Sequence, residues 1–217
     1  MGKPCTGSCL PKEHGAVRPG TLRNANNYNK TELAQFLSNA LIAAAPPEKV
    51  VVVGGGFASE TEVQSSDTAM ATTLLDSNHE EADSRMILHC LQTDAPNIVV
   101  VARDTDVLVL MVANFGRMSC TKLWMKARTM KTPKYVPVHG MRRELGLANY
   151  VYEILPVFHS VTGCTTESFF LGHSKRTEWD IFLEQNSLLK DLGKFPTPSK
   201  QVAEDAEKFI CHIYKAP

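Results

Sequence analysis

The stretch HEEADSRMILHC, His79 to Cys90, gathers Glu80, Glu81 and Asp83 at the head of an amphipathic run, and ARDTDVLVLM sets Asp104 and Asp106 one residue apart. Paired carboxylates are hard oxygen donors, and Mg²⁺ is held by a few of them together with waters and substrate phosphates. Glu81, Asp83, Asp104 and Asp106 held together would repel one another by several kcal/mol without a cation, so such a cluster predicts a divalent metal. Each pair also has a plainer reading. Glu81 stands three residues after Asn78, where a capping-box glutamate belongs, and acids in a helix's first turn gain about 0.3–1 kcal/mol from the dipole. Asp104 can likewise cap the helix that follows it.

A second chemistry is basic. The chain carries 23 Lys and Arg against 23 Asp and Glu, so attraction to nucleic acid has to come from local segregation of charge. Between Asp106 and Glu144 no carboxylate occurs, while Arg117, Lys122, Lys126, Arg128, Lys131, Lys134, Arg142 and Arg143 do, with Trp124 and Tyr135 among them. Either a nucleic-acid surface or a solvated hairpin accounts for that interval. Cys5, Cys9 and His14 offer half of a zinc site, but no second CxxC or HxxxH follows, and an irregular tail is the alternative.

Elements must position these groups. Residues 1–28 are rich in Gly, Pro and Asn and are expected to be irregular and outside the core. From Asn29, with Glu32 at capping-box spacing, Leu33, Phe36, Leu37, Ala40, Leu41 and Ala44 predict a helix with one buried face, stopped by Pro46-Pro47. KVVVVGGGF, Lys49 to Phe57, predicts a strand buried on both faces of a parallel sheet. Its glycines are a turn or, more weakly, a phosphate cradle, since the rest of a P-loop is missing. Asn78 caps a helix to about Gln92; Ile98 to Ala102 is a buried strand, and Thr105 to Asn114 an apolar helix. This alternation argues a parallel α/β sheet, and ligands collect beyond the carboxyl ends of such strands, where Asp104 and Asp106 stand.

Lys122 to Thr129 alternates, with Lys122, Trp124, Lys126 and Arg128 on one face, and pairs with Lys134 to Val138 as a hairpin bounded by prolines. Helices are expected over Met141 to Leu145, Ala148 to Leu155 and Thr177 to Leu189. A last one after Ser199 puts Val202, Ala206, Phe209, Ile210 and Ile213 on one face.

The 217 residues suit a single core domain over residues 29–217. No apolar run approaches the roughly 20 residues of a membrane helix, and MGKPCTGSCLPKEHG lacks the apolar core of a signal peptide. The six scattered cysteines suggest reduced thiols and no disulfide framework. An intracellular protein, nuclear or cytoplasmic, is the expectation.

Three segments in order, EEADSRMILH, ARDTDVLVLM and HSVTGCTTESFFLGHSK, resemble a group of mostly uncharacterised, often transposon-associated animal proteins with a PIN-like or flap-endonuclease-like domain. Their pattern runs HEEADTR, then DTDVLVL, then HxxTGCDTTSxFxGKGK, and the resemblance covers roughly residues 29 to 215. It implies a three-layer α/β fold with a mainly parallel central sheet, a small basic hairpin and C-terminal helices. It also implies two Mg²⁺ or Mn²⁺ ions driving phosphodiester hydrolysis. Carried over by motif, Glu81 and Asp83 form the first acidic pair and Asp104 and Asp106 the second. His79 and Arg85 match positions of unassigned role.

This chain departs from the pattern where it has Thr162-Gly163-Cys164-Thr165: Thr165 replaces an aspartate, with Glu167 as a substitute. The GKGK run is Gly172-His173-Ser174-Lys175, which keeps one lysine, Lys175, and loses a glycine; Lys175 joins Lys126, Arg128, Lys131 and Lys134 as expected nucleic-acid contacts. Residues 1–48 contain no Asp, so the family's first strand and its acid are expected to be missing, as in a truncated or degenerate copy. The expectations are thus a nuclease-derived domain with weak or lost activity, a non-catalytic module that binds DNA or RNA, or a structural remnant of a mobile element.

Overall fold

The computed structural model describes residues 19–59, 61–78, 82–127, 134–164, 170 and 172–215, with side chains from residue 30 onward. The Cys5, Cys9 and His14 group lies outside the described residues, as do His79, Glu80, Glu81, Arg128, Lys131, Thr165 and Glu167. Two compact units divide the chain, Met1–Asn78 and His79–Pro217. Both units mix helix and strand.

In the first unit, helix α1 spans Pro19–Ala43. It starts at Pro19 and not at Asn29, because proline fits the first helical turn and no Gly or Pro interrupts residues 21–45. The apolar stripe predicted to be buried is open instead, with Leu33 58% and Phe36 69% exposed. Among the described residues of this unit a short ribbon and one 3-10 turn, Thr73–Leu75, accompany α1 and leave the stripe uncovered. In that ribbon, β1 (Val52–Gly54) pairs antiparallel with β2 (Val63–Ser65), Val52 opposite Ser65. The valine run is therefore half-buried in an antiparallel pair and is not a central parallel strand; four valines in a row do not choose a partner.

The glycines after β1 form a turn. Gly56 has φ +78°, and a Cβ there would stand 2.5 Å from Ser38 Oγ and 2.8 Å from the Ala34 carbonyl oxygen. Glycine thus lets the ribbon approach α1, where Ser38 Oγ donates to the Gly55 carbonyl at 3.0 Å.

The second unit is built on a three-stranded sheet of β3 (Asn97–Val101), β4 (Lys122–Ala127) and β5 (Lys134–Pro137), in that order. Strands β3 and β4 are parallel, joined through α3 (Thr105–Asn114), and β4 and β5 are antiparallel. The sheet is therefore mixed. With β3 at one edge, the described strands give one parallel and one antiparallel pairing, and they do not establish a mainly parallel, three-layer sheet. Ile98, Val100, Leu123 and Met125 share the inner face by register, with Leu123 fully buried. Val99 and Val101 point the other way and are 51% and 54% exposed.

Helices of this unit contribute side chains to one core together with Val100, Leu123 and Met125 of the inner face. They are α2 (Ala82–Leu91), α3, α4 (Val138–Leu145), α5 (Asn149–Glu153), α6 (Leu155–Val161), α7 (Lys175–Gln185) and α8 (Lys200–Tyr214). Ser199 caps α8 by accepting from the Val202 amide, and Phe209 and Ile213 enter the core fully buried. Phe158, Phe182 and Phe209 cluster there, Phe158 and Phe182 with ring centroids 4.5 Å apart. Arg142, part of the basic interval, is used internally: its guanidinium lies 4.0 Å from the Tyr152 ring centre and donates to the Val112 carbonyl at 3.0 Å. Cys90 and Cys120 are free and buried, with burial pushing the Cys90 thiol up to about 11.

Candidate acidic site

Strand β3 ends at Val101, and three residues later the chain turns into α3. Asp104 sits there in extended backbone as the N-cap, its Oδ1 accepting from the Asp106 amide at 3.1 Å. The capping role weighed for Asp104 is thus present, and each aspartate retains a second carboxylate oxygen. Asp83 comes from the first turn of α2. Asp104 and Asp106 stand at a helix start beyond the carboxyl end of β3, and Asp83, at the start of α2, lies within reach of their charge; positive helix ends favour such anions.

Burial raises the Asp83 pKa above its ordinary value, and the charges of Asp104 and then Asp106 raise it further. A folded-state carboxyl held above its unfolded pKa destabilises the protein at every pH above the folded value, and the effect vanishes as pH falls below the ordinary value near 3.8. A cation beside Asp83 removes that repulsion.

Sequence reasoning assigned no part to His159, the first residue of HSVTGC. Its Nε2 meets Asp106 Oδ1 at 2.7 Å, in a partly buried contact from α6. This hydrogen bond orients the Asp106 carboxylate. A lone histidine carried no periodic signal; its spacing ahead of Thr162-Gly163-Cys164 was the only clue.

Lys175, expected to reach phosphate, turns its ammonium inward. It donates to Thr162 Oγ1 at 2.6 Å and lies 5.7 Å from the Phe158 ring centre. Burial lowers its pKa, against the raising effects of Glu178, Cys164 and Asp106. Thr162 is fully buried, and its hydroxyl donates a hydrogen bond to the Phe158 carbonyl at 2.7 Å. Glu178, one turn along α7 from Lys175, is 2% exposed, and its Oε2 has no hydrogen-bond partner. Burial raises its pKa, which Lys175 and His173 partly offset. Beside this chain lies a cleft of about 220 Å³ whose apolar wall includes Leu108, Val112, Leu145 and Trp179, with His159 and Lys175 at its edge.

Hard oxygen donors of this kind suit Mg²⁺ or Mn²⁺. Among the described residues no three His, Cys, Asp or Glu side chains already converge in a metal-holding group. Lys126 and Lys134 are the two described members of the expected nucleic-acid set besides Lys175; Lys126 stands on β4 beside Val101, at the end of the sheet where the acidic turn begins, and Lys134 on β5 opposite Ala127. Among the described residues no helix is long and apolar enough to cross a membrane. No protein-family model matches this chain, and no curated protein or solved structure matches it either.

Proposed function

We propose that the unit His79–Pro217 is a PIN-like, flap-endonuclease-like domain derived from a divalent-metal-dependent nuclease, with weak remaining phosphodiester hydrolysis on DNA or RNA. The observation that carries this reading is the placement of Asp83 in the first turn of α2 and of Asp104 and Asp106 at the start of α3, just beyond the carboxyl end of β3, with His159 Nε2 2.7 Å from Asp106 Oδ1. Glu81, two residues before Asp83, completes the donor set in the proposal. A bound Mg²⁺ or Mn²⁺ ion supplies Lewis acidity and an activated water. The chain's own part is to hold three carboxylates at two helix starts, to orient Asp106 through His159, and to exclude water behind the apolar α6–α7 wall. Weak turnover follows from Thr165, a hydroxyl where the resembling proteins carry a further carboxylate.

The test is Mn²⁺-dependent cleavage of labelled single-stranded and flapped substrates, read beside the melting temperature. Wild type should gain stability with Mn²⁺, Asp104→Ala plus Asp106→Ala should lose that gain, and Thr165→Asp should raise cleavage. Absence of any Mn²⁺ shift in wild type would overturn the proposal.

A further inference from the structure

The outer face of the β3-β4-β5 sheet has a composition that neither the core nor the acidic turn explains. By register, Val99 lies beside Trp124 and Val101 beside Lys126, while Lys126 lies opposite Tyr135 and Trp124 opposite Pro137. Side chains alternate across a sheet, so Asn97, Val99, Val101, Lys122, Trp124, Lys126 and Tyr135 share this face. Val99, Val101 and Tyr135 are each about half exposed. The Lys126 ammonium stands 5.6 Å from the Tyr135 ring centre, and Trp124 is held edge-on to His139 at 4.9 Å. None of the three strands contains an Asp or Glu.

An exposed valine pair alone would suit many partners. Aromatic rings on a flat platform, interleaved with lysines and free of carboxylates, select for a flexible polyanion that carries flat rings. Single-stranded nucleic acid is that partner: bases stack on aromatic side chains without needing a defined sequence, and lysines follow the backbone. A duplex keeps its bases stacked inside and offers nothing to Tyr135. A protein partner would gain from the valines but would have to neutralise Lys122 and Lys126.

We propose that this outer sheet face is a binding platform for single-stranded DNA or RNA, with Tyr135 and Trp124 as stacking surfaces and Lys122 and Lys126 as phosphate contacts. The platform lies apart from the acidic turn in chemistry and works without a metal, so it stands whether or not the chain hydrolyses what it holds.

The experiment is fluorescence-anisotropy titration of the full chain with a labelled single strand of about 16 nucleotides, in EDTA, at several salt concentrations. Tyr135→Ala should weaken binding by about 5- to 150-fold, the range for one lost base stack. Lys122→Ala plus Lys126→Ala should flatten the dependence of log Kd on log salt by about 1.4, or 0.7 for each lysine. A duplex of equal length should compete poorly. Equal binding by Tyr135→Ala and wild type, with both folded by circular dichroism, would overturn the proposal. So would association that ignores salt, or a concentration-dependent dimer that Val99→Asp dissolves. Because no metal is present, failure here leaves the Mn²⁺ reading untouched, and a missing Mn²⁺ shift leaves this one untouched.

Discussion

The two faces of the second unit's sheet are made from the same strands and have opposite fates. Ile98 and Val100 enter the core beside Leu123 and Met125, while Val99 and Val101, indistinguishable from them in composition, remain half exposed beside Lys126 and Tyr135. The difference teaches that an all-apolar strand reports burial only when something covers both of its faces. NIVVV carries no alternation because the outer positions are apolar too. Hydropathy therefore could not separate a central strand from an edge strand with a functional outer surface.

The sharpest way to break this contrast is at Leu123, fully buried on the inner face. Leu123→Ala should cost about 2–5 kcal/mol, measured by denaturant unfolding, and Val99→Lys on the outer face should stay within about 0.5 kcal/mol. Similar losses at the two positions would mean that the outer face is covered after all. Next in size is the acidic turn at the end of the same strand. Mn²⁺ at 100 times its Kd should stabilise wild type by about 2.7 kcal/mol, and Asp104→Ala plus Asp106→Ala should abolish the gain.

Two smaller effects follow from carboxyls held above their ordinary pKa. Glu178 is destabilising once ionised, so wild-type stability should fall as pH rises through its folded pKa. Glu178→Gln should flatten that part of the pH–Tm curve and raise Tm at pH 7; an unchanged curve would show that Lys175 already compensates the charge. The smallest shift is at Asp83, only partly buried. Asp83→Asn should raise Tm slightly without metal at pH 7, where the neighbouring aspartates repel it, and should weaken the Mn²⁺ response. A lower metal-free Tm would contradict the repulsion.

Much of the second unit was legible from local signals. Asp104 as a helix cap, the strand before it, the alternating Lys122 to Ala127 and the Ser199 cap are all short-range features, and each element lies within a few residues of its expected place. What failed was pairing and packing, which depend on residues far apart in the chain. The valines after Lys49 could not announce an antiparallel partner at Val63–Ser65. The α1 stripe has helical spacing, but periodicity records an apolar face without saying whether anything lies over it. His159 and Glu178 escaped notice because each is a single polar residue on an otherwise apolar helix face. Arg142 was counted with the surface cations, although its guanidinium lies against Tyr152.

The open edge of β3 also bears on how the protein behaves in a tube. Among the described residues no strand pairs with that edge, and Val99 and Val101 are half exposed. The chain's pI is about 7.0, so near neutral pH no net charge holds copies apart. An unprotected edge is where one chain templates the next. Light scattering in concentrated samples should therefore peak near pH 7 and fall on either side, which makes a buffer one or two units away the better place to keep this protein in solution.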